Sequence, residues 1–481
     1  MLNYKNRIGE IIDTKKDLFI DVSNRVWEYA ETRFQEYKSA DLFCKVLEDE
    51  EFKIEREIAD ISTAFVGSFG SGKPIIAILA EYDALSGLSQ KPGTDRKEAV
   101  QEGGNGHGCG HNLLGAGSLA AAVAIKDYMK EKNIEGTIRL YGCPGEEGGS
   151  GKAFMAREGA FDDIDIALCW HPFAQNGIFS VSSLANYQVY YRFYGKSSHA
   201  AASPHLGRSA LDAVELMNIG VNYLREHIIP EARIHYAVTN TGGISPNVVQ
   251  AEAESLYLIR APKTSQVQEI FDRVNDIAKG AALMTQTRYE IVFDKACSNL
   301  ISNNTIEEIL YKNFIEVGVP KFDEDDKEYA KRITATLSDS DINNEMKMAN
   351  MFTGGKGKEI IEKMKDKELS DAILPFIHNA GMLSGSTDVG DVSWIVPTGQ
   401  IITACCALGT PGHSWQMVAQ GATSIGHKGM IVAGKVLAMT AVDILMNPEI
   451  VKRAKAELKK KLGDRTYKSP IPSHIKPSAI K

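Results

Sequence analysis

The sequence predicts an α/β protein interrupted by a smaller α+β module, and three observations carry that reading. Apolar runs of strand length alternate with helical stretches up to about residue 170, a strand of period two begins near residue 187, and the order that follows is strand, helix, two strands, helix, strand. At 481 residues the chain is too long for one compact core, so more than one domain is expected.

Residues 4–54 carry helical periodicity, with Ile11, Ile12, Leu18, Phe19, Val22 and Val26 recurring at helix spacing. Pro74 to Ala80 is an apolar run that reads as a buried strand and ends in Glu81-Tyr82-Asp83. Leu113 to Met129 is rich in Ala and Leu and long enough for a helix, with strands expected at 136–142 and 164–170. This alternation points to a largely parallel sheet. Tyr187 to Tyr194 then alternates as a half-buried antiparallel strand should. A helix at 208–226, strands at 234–239 and 251–260, a helix at 264–284 and a strand at 288–294 complete a ferredoxin-like insert. The expected division is 1–185 for the first part of the α/β domain, 186–296 for the insert and 297–481 for the second part. The α/β domain resumes with a helix at 304–317, and its last core helix is expected at 421–446.

A long insertion at 319–385 is charged and rich in Met and Lys. Its Gly354-Gly355-Lys356-Gly357-Lys358 stretch lacks both the Walker spacing and a preceding strand, so it reads as a mobile surface excursion and not as a phosphate loop.

The apolar fraction of 43% is that of a globular protein, no stretch approaches the roughly 18 apolar residues of a membrane span, and the first residues lack the apolar core of a secretory signal. Net charge is -8 and no basic stripe points to nucleic acid; Lys452 to Lys461 reads as the solvated face of a helix. These features argue against nucleic-acid and membrane partners. Seven cysteines, with no CxxC pair, suit a reduced compartment, so a cytoplasmic protein is expected. Cys44, Cys169, Cys297, Cys405 and Cys406 read as small hydrophobes.

Cys109 differs. It lies in Gly106-His107-Gly108-Cys109-Gly110-His111-Asn112, and a thiolate and an imidazole two positions apart in an extended turn can grip one cation, zinc above all, with cobalt, nickel or manganese suited to mixed surroundings. Glu146-Glu147 follows a strand end, where open α/β sheets place their sites, and is flanked by glycines. Adjacent carboxylates divide into one ligand, Glu147, and one general base, Glu146. His171 ends another apolar strand, although a histidine there can also simply cap the packing. His413 sits in the Gly/Pro turn Gly409-Thr410-Pro411-Gly412-His413. Cys109, His111, Glu147, His171 and His413 are more donors than one ion takes while leaving room for water, so two divalent ions about 3.5–4 Å apart are expected. Glu81 and Asp83 are placed to orient ligand histidines.

With these residues in view, the chain resembles metallopeptidase family twenty, in its amidohydrolase branch of aminoacylase and carboxypeptidase-G type. The resemblance rests on C-G-H-N at 109–112, E-E-G at 146–148, W-H-P at 170–172, S-S-H-A-A at 197–201, P-N-V-V at 246–249 and P-G-H-S at 411–414. It implies a zinc-peptidase-like catalytic domain with an inserted lid that dimerises. It also implies that His199 on the lid stabilises the developing oxyanion, often across the dimer, and that Asn247 and Arg260 meet the substrate's carbonyl and carboxylate. From the residues alone, His199 reads as a strand-end core residue. Asn112 stands where many relatives carry aspartate, and 319–385 is longer than usual. That length, with Gly385 to Trp394, is similar to a subgroup associated with p-aminobenzoyl-glutamate and with a paralogous A subunit. The expected reaction is therefore metal-assisted cleavage of an N-acyl amino acid, p-aminobenzoyl-glutamate first. A dipeptidase, an aminoacylase, or a partner subunit inactive alone are the alternatives, with either a homodimer through the lid or a heteromer.

Overall fold

In the computed structural model, which describes residues 3–479, the apolar run after Lys73 becomes the centre of a seven-stranded sheet. Its strands are β1 (Lys53–Arg56), β2 (Phe65–Ser71), β3 (Ile75–Ala80), β4 (Gly136–Gly142), β5 (Ile166–Phe173), β6 (Gly177–Ile178) and a strand contributed from far down the chain, Thr398–Ala404. The inserted domain supplies β8 (Ala185–Tyr194), β9 (Arg233–Asn240), β10 (Glu252–Ala261) and β11 (Arg288–Cys297). A short parallel pair joins β7 (Val181–Ser183) to β12 (Gly381–Leu383), and Thr398–Ala404 is β13.

The large sheet runs β1-β2-β4-β3-β5-β13-β6. Only its middle four strands, β4, β3, β5 and β13, are mutually parallel; β1, β2 and β6 pair antiparallel at the edges. The sheet is thus mixed where a largely parallel one was expected. β2 gave little warning, since Gly67, Ser68, Gly70 and Ser71 dilute its apolar pattern.

The continuous apolar runs follow from burial on both faces. Ile76, Ile78, Leu168 and Trp170 point into one core, and Ile75, Ala77, Leu79, Ala167 and Cys169 into the other. The first core is closed by helices Asn3–Tyr29, His111–Lys132 and Ser424–Met446. The last of these is long and apolar enough to cross a membrane, but 72% of its apolar window is buried inside the protein, so its apolarity serves the core.

The inserted sheet has the order β11-β8-β10-β9, all antiparallel, with helices Ala210–Leu224 and Thr264–Thr285 packed against it. This is the ferredoxin-like arrangement. Period-two burial of Val189, Tyr191 and Phe193 against Val214, Met217 and Val274 explains the alternation in β8. Arg33 ties this domain to the first. Its guanidinium donates to both oxygens of Asp294 on β11 (2.9 and 3.1 Å), to the carbonyl of Gly148 and to that of Ser478.

Segment 319–385 is not a loose excursion. It forms helices Glu324–Thr334, Asp339–Phe352 and Lys358–Met364, and the first two open with capping boxes at Asp323/Asp326 and Ser338/Asp341. Tyr329, Ala330 and Ile333 pack with Leu369 and Ile425, and Phe352 stacks edge-on against Phe173. The charged look of the segment arose because each helix buries only one stripe.

Arg33 and Asp294 are both buried, so removing one partner strands the other's charge. Asp294→Ala is expected to destabilise the protein by about 3–5 kcal/mol, measurable as a lower midpoint in urea unfolding.

Candidate metal centre

The chemistry-bearing residues gather where the four parallel strands end, at their carboxyl edge, the usual place for a site in an open α/β sheet. Glu81 and Asp83 leave β3, Glu146 and Glu147 follow β4, His171 lies within β5, and His413 is in the loop after β13. Cys109 and His111 come from the loop that leads into helix His111–Lys132.

The Cys109–His111 segment is not extended. Gly110 has φ +77, a left-handed conformation natural to glycine, and caps the helix that His111 begins. A Cβ at Gly110 would press on Met417 and Pro172. The turn still presents both donors to one place. His413 itself has φ +57, an unfavourable conformation for a histidine that the surrounding loop enforces.

Two donor groups result, and they share Cys109. The ligand atoms of Cys109, His111 and His171 lie within 4.8 Å of one another, as do those of Cys109, Glu147 and His413. Cys109 Sγ is 3.4 Å from His171 Nε2, and His413 Nε2 is 3.0 Å from Glu147 Oε1. All five expected ligands are therefore together. His111 Nε2 and Glu147 Oε1 are buried and make no well-directed hydrogen bond, although Glu81 Oε2 lies 3.2 Å from the former. Buried atoms of this kind, in a set of one thiol, three imidazoles and one carboxylate, fit divalent cations of the zinc and manganese type.

Asp83 positions one member of each group. Its Oδ1 is 2.9 Å from His111 Nδ1, leaving Nε2 free for a cation, and its Oδ2 accepts from the backbone N–H of Glu147 at 2.7 Å. Glu81 is held differently, by the buried ammonium of Lys152 at 2.6 Å, and Lys152 in turn meets Asp388 at 2.6 Å. Lys152 and Asp388 escaped the sequence reading. A lone lysine in an apolar helix gives no local signal of a buried charge, and Asp388 stood out only within the Gly385 to Trp394 stretch. Asn112 does not tune the ligands: its amide donates to Ser23 Oγ and to the Gly421 carbonyl, bracing two helices. His107 is also structural, buried against the Val26 carbonyl, with burial pushing its pKa down to about 3.

Burial and the Glu147 charge push the Cys109 thiol up, but His171 and His111 outweigh them and bring it to about 6. Burial opposes a charged His111, yet Cys109 and Asp83 hold its pKa well above the usual imidazole range. Hydrogen bonds to Cys109 and Glu147 raise His413. Glu146, close to Glu81 and His111, is lifted well above the carboxylate range by burial and by the charges of Glu81, Glu147 and Asp388.

The residues assigned to the lid divide. Arg260, at the end of β10, donates to Ser386 Oγ at 2.9 Å, keeps a buried Nε without a partner and senses the charge of Glu146. His199 and Asn247 lie together but exposed, and neither joins the metal donors or lines the cavity beside them. His199 is therefore no core residue. Its Nδ1 accepts from the N–H groups of Ala201 and Ala202 (3.2 and 3.1 Å), which leaves Nε2 protonated as an outward donor.

This fold and site define a metal-dependent hydrolase of amide bonds, and residues 77–472 match the family model for peptidase family M20/M25/M40. The chain belongs to that family. It is 48% identical over 474 residues to the B subunit of p-aminobenzoyl-glutamate hydrolase from Escherichia coli (strain K12), covering 98% of each chain. It is 26% identical to the Xaa-Arg dipeptidase of Mus musculus, over 96% of this chain and 93% of that protein. Among solved structures it matches the Bacillus subtilis YXEP protein, a dinuclear metal-binding peptidase of the M20 family, with TM-score 0.54 and 16% identity, over 90% of this chain and 99% of that one. The shared fold is thus experimentally represented.

Stripped of metal, the protein carries protons on His111, His171 and His413 at neutral pH, because all three pKa values are raised. Adding the cation displaces them. Calorimetric titration in buffers of different ionisation enthalpy is expected to report proton release at neutral pH, and affinity is expected to fall further below about pH 6, where Cys109 regains its proton.

Proposed function

We propose that this chain hydrolyses p-aminobenzoyl-glutamate to p-aminobenzoate and glutamate, using two divalent ions held by Cys109, His111, Glu147, His171 and His413. The observation that carries this is the pair of donor groups joined at Cys109, with Glu146 beside them, in a chain alike over its full length to a hydrolase of that name. Zinc or manganese suits the donor set best.

When bound, the ions supply Lewis acidity at the scissile carbonyl and make the attacking water more acidic. Glu146 accepts a proton from that water as its oxygen attacks the carbonyl carbon. The raised pKa of Glu146 lets it hold the proton until the C–N bond breaks, and it then delivers the proton to the leaving nitrogen. Asp83 keeps His111 and Glu147 in place through this cycle. Arg260, with its unpartnered Nε, receives a carboxylate of the glutamate half.

His199 and Asn247 act from a second chain. Both are exposed, their loops are joined by the Ala200 N–H to Asn247 carbonyl hydrogen bond (3.0 Å), and His199 Nε2 is set to donate to an oxyanion. The second chain is another copy or a paralogous A subunit. The latter is supported by the Escherichia coli relative, which is itself one of two kinds of subunit. The seven free cysteines support a cytoplasmic setting.

Glu146→Gln is expected to lower kcat by about 10²–10⁴-fold with metal content unchanged; near-normal turnover would remove Glu146 from the mechanism. Mixing Glu146→Gln with His199→Ala protein, each inactive alone, is expected to restore activity if the lid acts across subunits. Assays on p-aminobenzoyl-glutamate, acyl amino acids and dipeptides separate this reading from an aminoacylase or a dipeptidase.

A further inference from the structure

Beside the metal donors lies a cavity of about 280 Å³, close to the lower limit for pockets that hold small organic ligands. Cys109, His171 and His413 line it, and so do Asp341, Asn344, Glu345 and Met348 from the inserted helix Asp339–Phe352. Phe173, Ala174 and Met417 make much of the remaining wall apolar. The edge of the His171 ring meets Phe173 at 5.4 Å, so one side of the cavity is aromatic.

Glu345 stands out in this setting. It is 6% exposed, yet no cation pairs with it. Its Oε1 accepts from the side-chain amide of the fully buried Gln175 at 2.6 Å, which fixes the carboxyl group, while its Oε2 has no hydrogen-bond partner among the described residues. Asp341, the other acid of this wall, is occupied by the backbone N–H and the hydroxyl of Ser338. Burial pushes Glu345 up to about 7, and in either protonation state it keeps an oxygen able to accept.

We propose that Glu345 accepts a hydrogen bond from the ring amino group of a p-aminobenzoyl substrate and so sets the acyl specificity of the site. This rests on the substrate class proposed above. An aromatic amine needs an acceptor at its polar end and apolar contact along its ring, and the cavity supplies both. The dicarboxylate half of the substrate is excluded, because a buried acid repels it. Arg260 does not line the cavity, but its partner Ser386 adjoins Gly385, which does. The glutamate half therefore leaves the cavity toward Arg260, and the acyl ring enters it.

The test compares p-aminobenzoyl-glutamate with benzoyl-glutamate, which lacks only the amine, on wild type, Glu345→Gln and Glu345→Leu. Calorimetric binding of p-aminobenzoate and benzoate to the same proteins gives a readout independent of turnover. Wild type is expected to prefer the amine in kcat/KM by about tenfold. Glu345→Leu should lose that preference while its benzoyl-glutamate activity, which also reports correct folding, stays within about threefold. Glu345→Gln keeps an acceptor oxygen and should retain most of the preference, and product binding should follow the same order. Equal losses on both substrates, or a wild type indifferent to the amine, would overturn the role of Glu345 and leave the hydrolase reading standing. Cleavage of dipeptides with neither benzoyl substrate accepted would overturn both.

Discussion

One thiolate carries the site. Cys109 is the only donor common to both ligand groups, and every other donor is placed relative to it from a separate strand end or loop. Such a design works only if those loops are held to within a few tenths of an ångström. Asp83 does much of this by gripping the His111 ring with one oxygen and the Glu147 backbone with the other. A single carboxylate at the end of β3 thereby couples the two ligand groups to the central strand of the sheet.

Around this centre the protein buries an unusual amount of charge. Glu81, Lys152 and Asp388 are nearly sealed from solvent, and the ammonium between two carboxylates offsets their desolvation. The net negative balance falls on Glu146, whose affinity for a proton it raises. The inserted helices complete the arrangement. By packing Phe352 against Phe173 they bring an apolar wall and one buried acid next to the metal donors.

Much of this was legible in the residues because strand ends in α/β sheets are marked by where apolar runs stop. Glu81, Asp83 and His171 follow or end such runs, and the Gly-flanked Cys109 and Glu146-Glu147 declare positions where side chains must approach closely. The ferredoxin-like insert was readable through the alternation of β8. What stayed hidden depends on contacts distant in sequence. Nothing near Lys152 announces Asp388, 236 residues away, and nothing near Gln175 announces Glu345. The helices of 319–385 did carry a local signal, the capping boxes at Asp323 and Ser338, obscured by the surrounding charge.

Titration of the metal-free protein with cobalt(II) tests the shared thiolate most directly, since sulfur-to-cobalt charge transfer is visible in the near ultraviolet. Saturation at two equivalents per chain, with a charge-transfer band that disappears in Cys109→Ser, is the predicted result. Saturation at a single equivalent, or a spectrum that Cys109→Ser leaves unchanged, would contradict a cation pair built around Cys109.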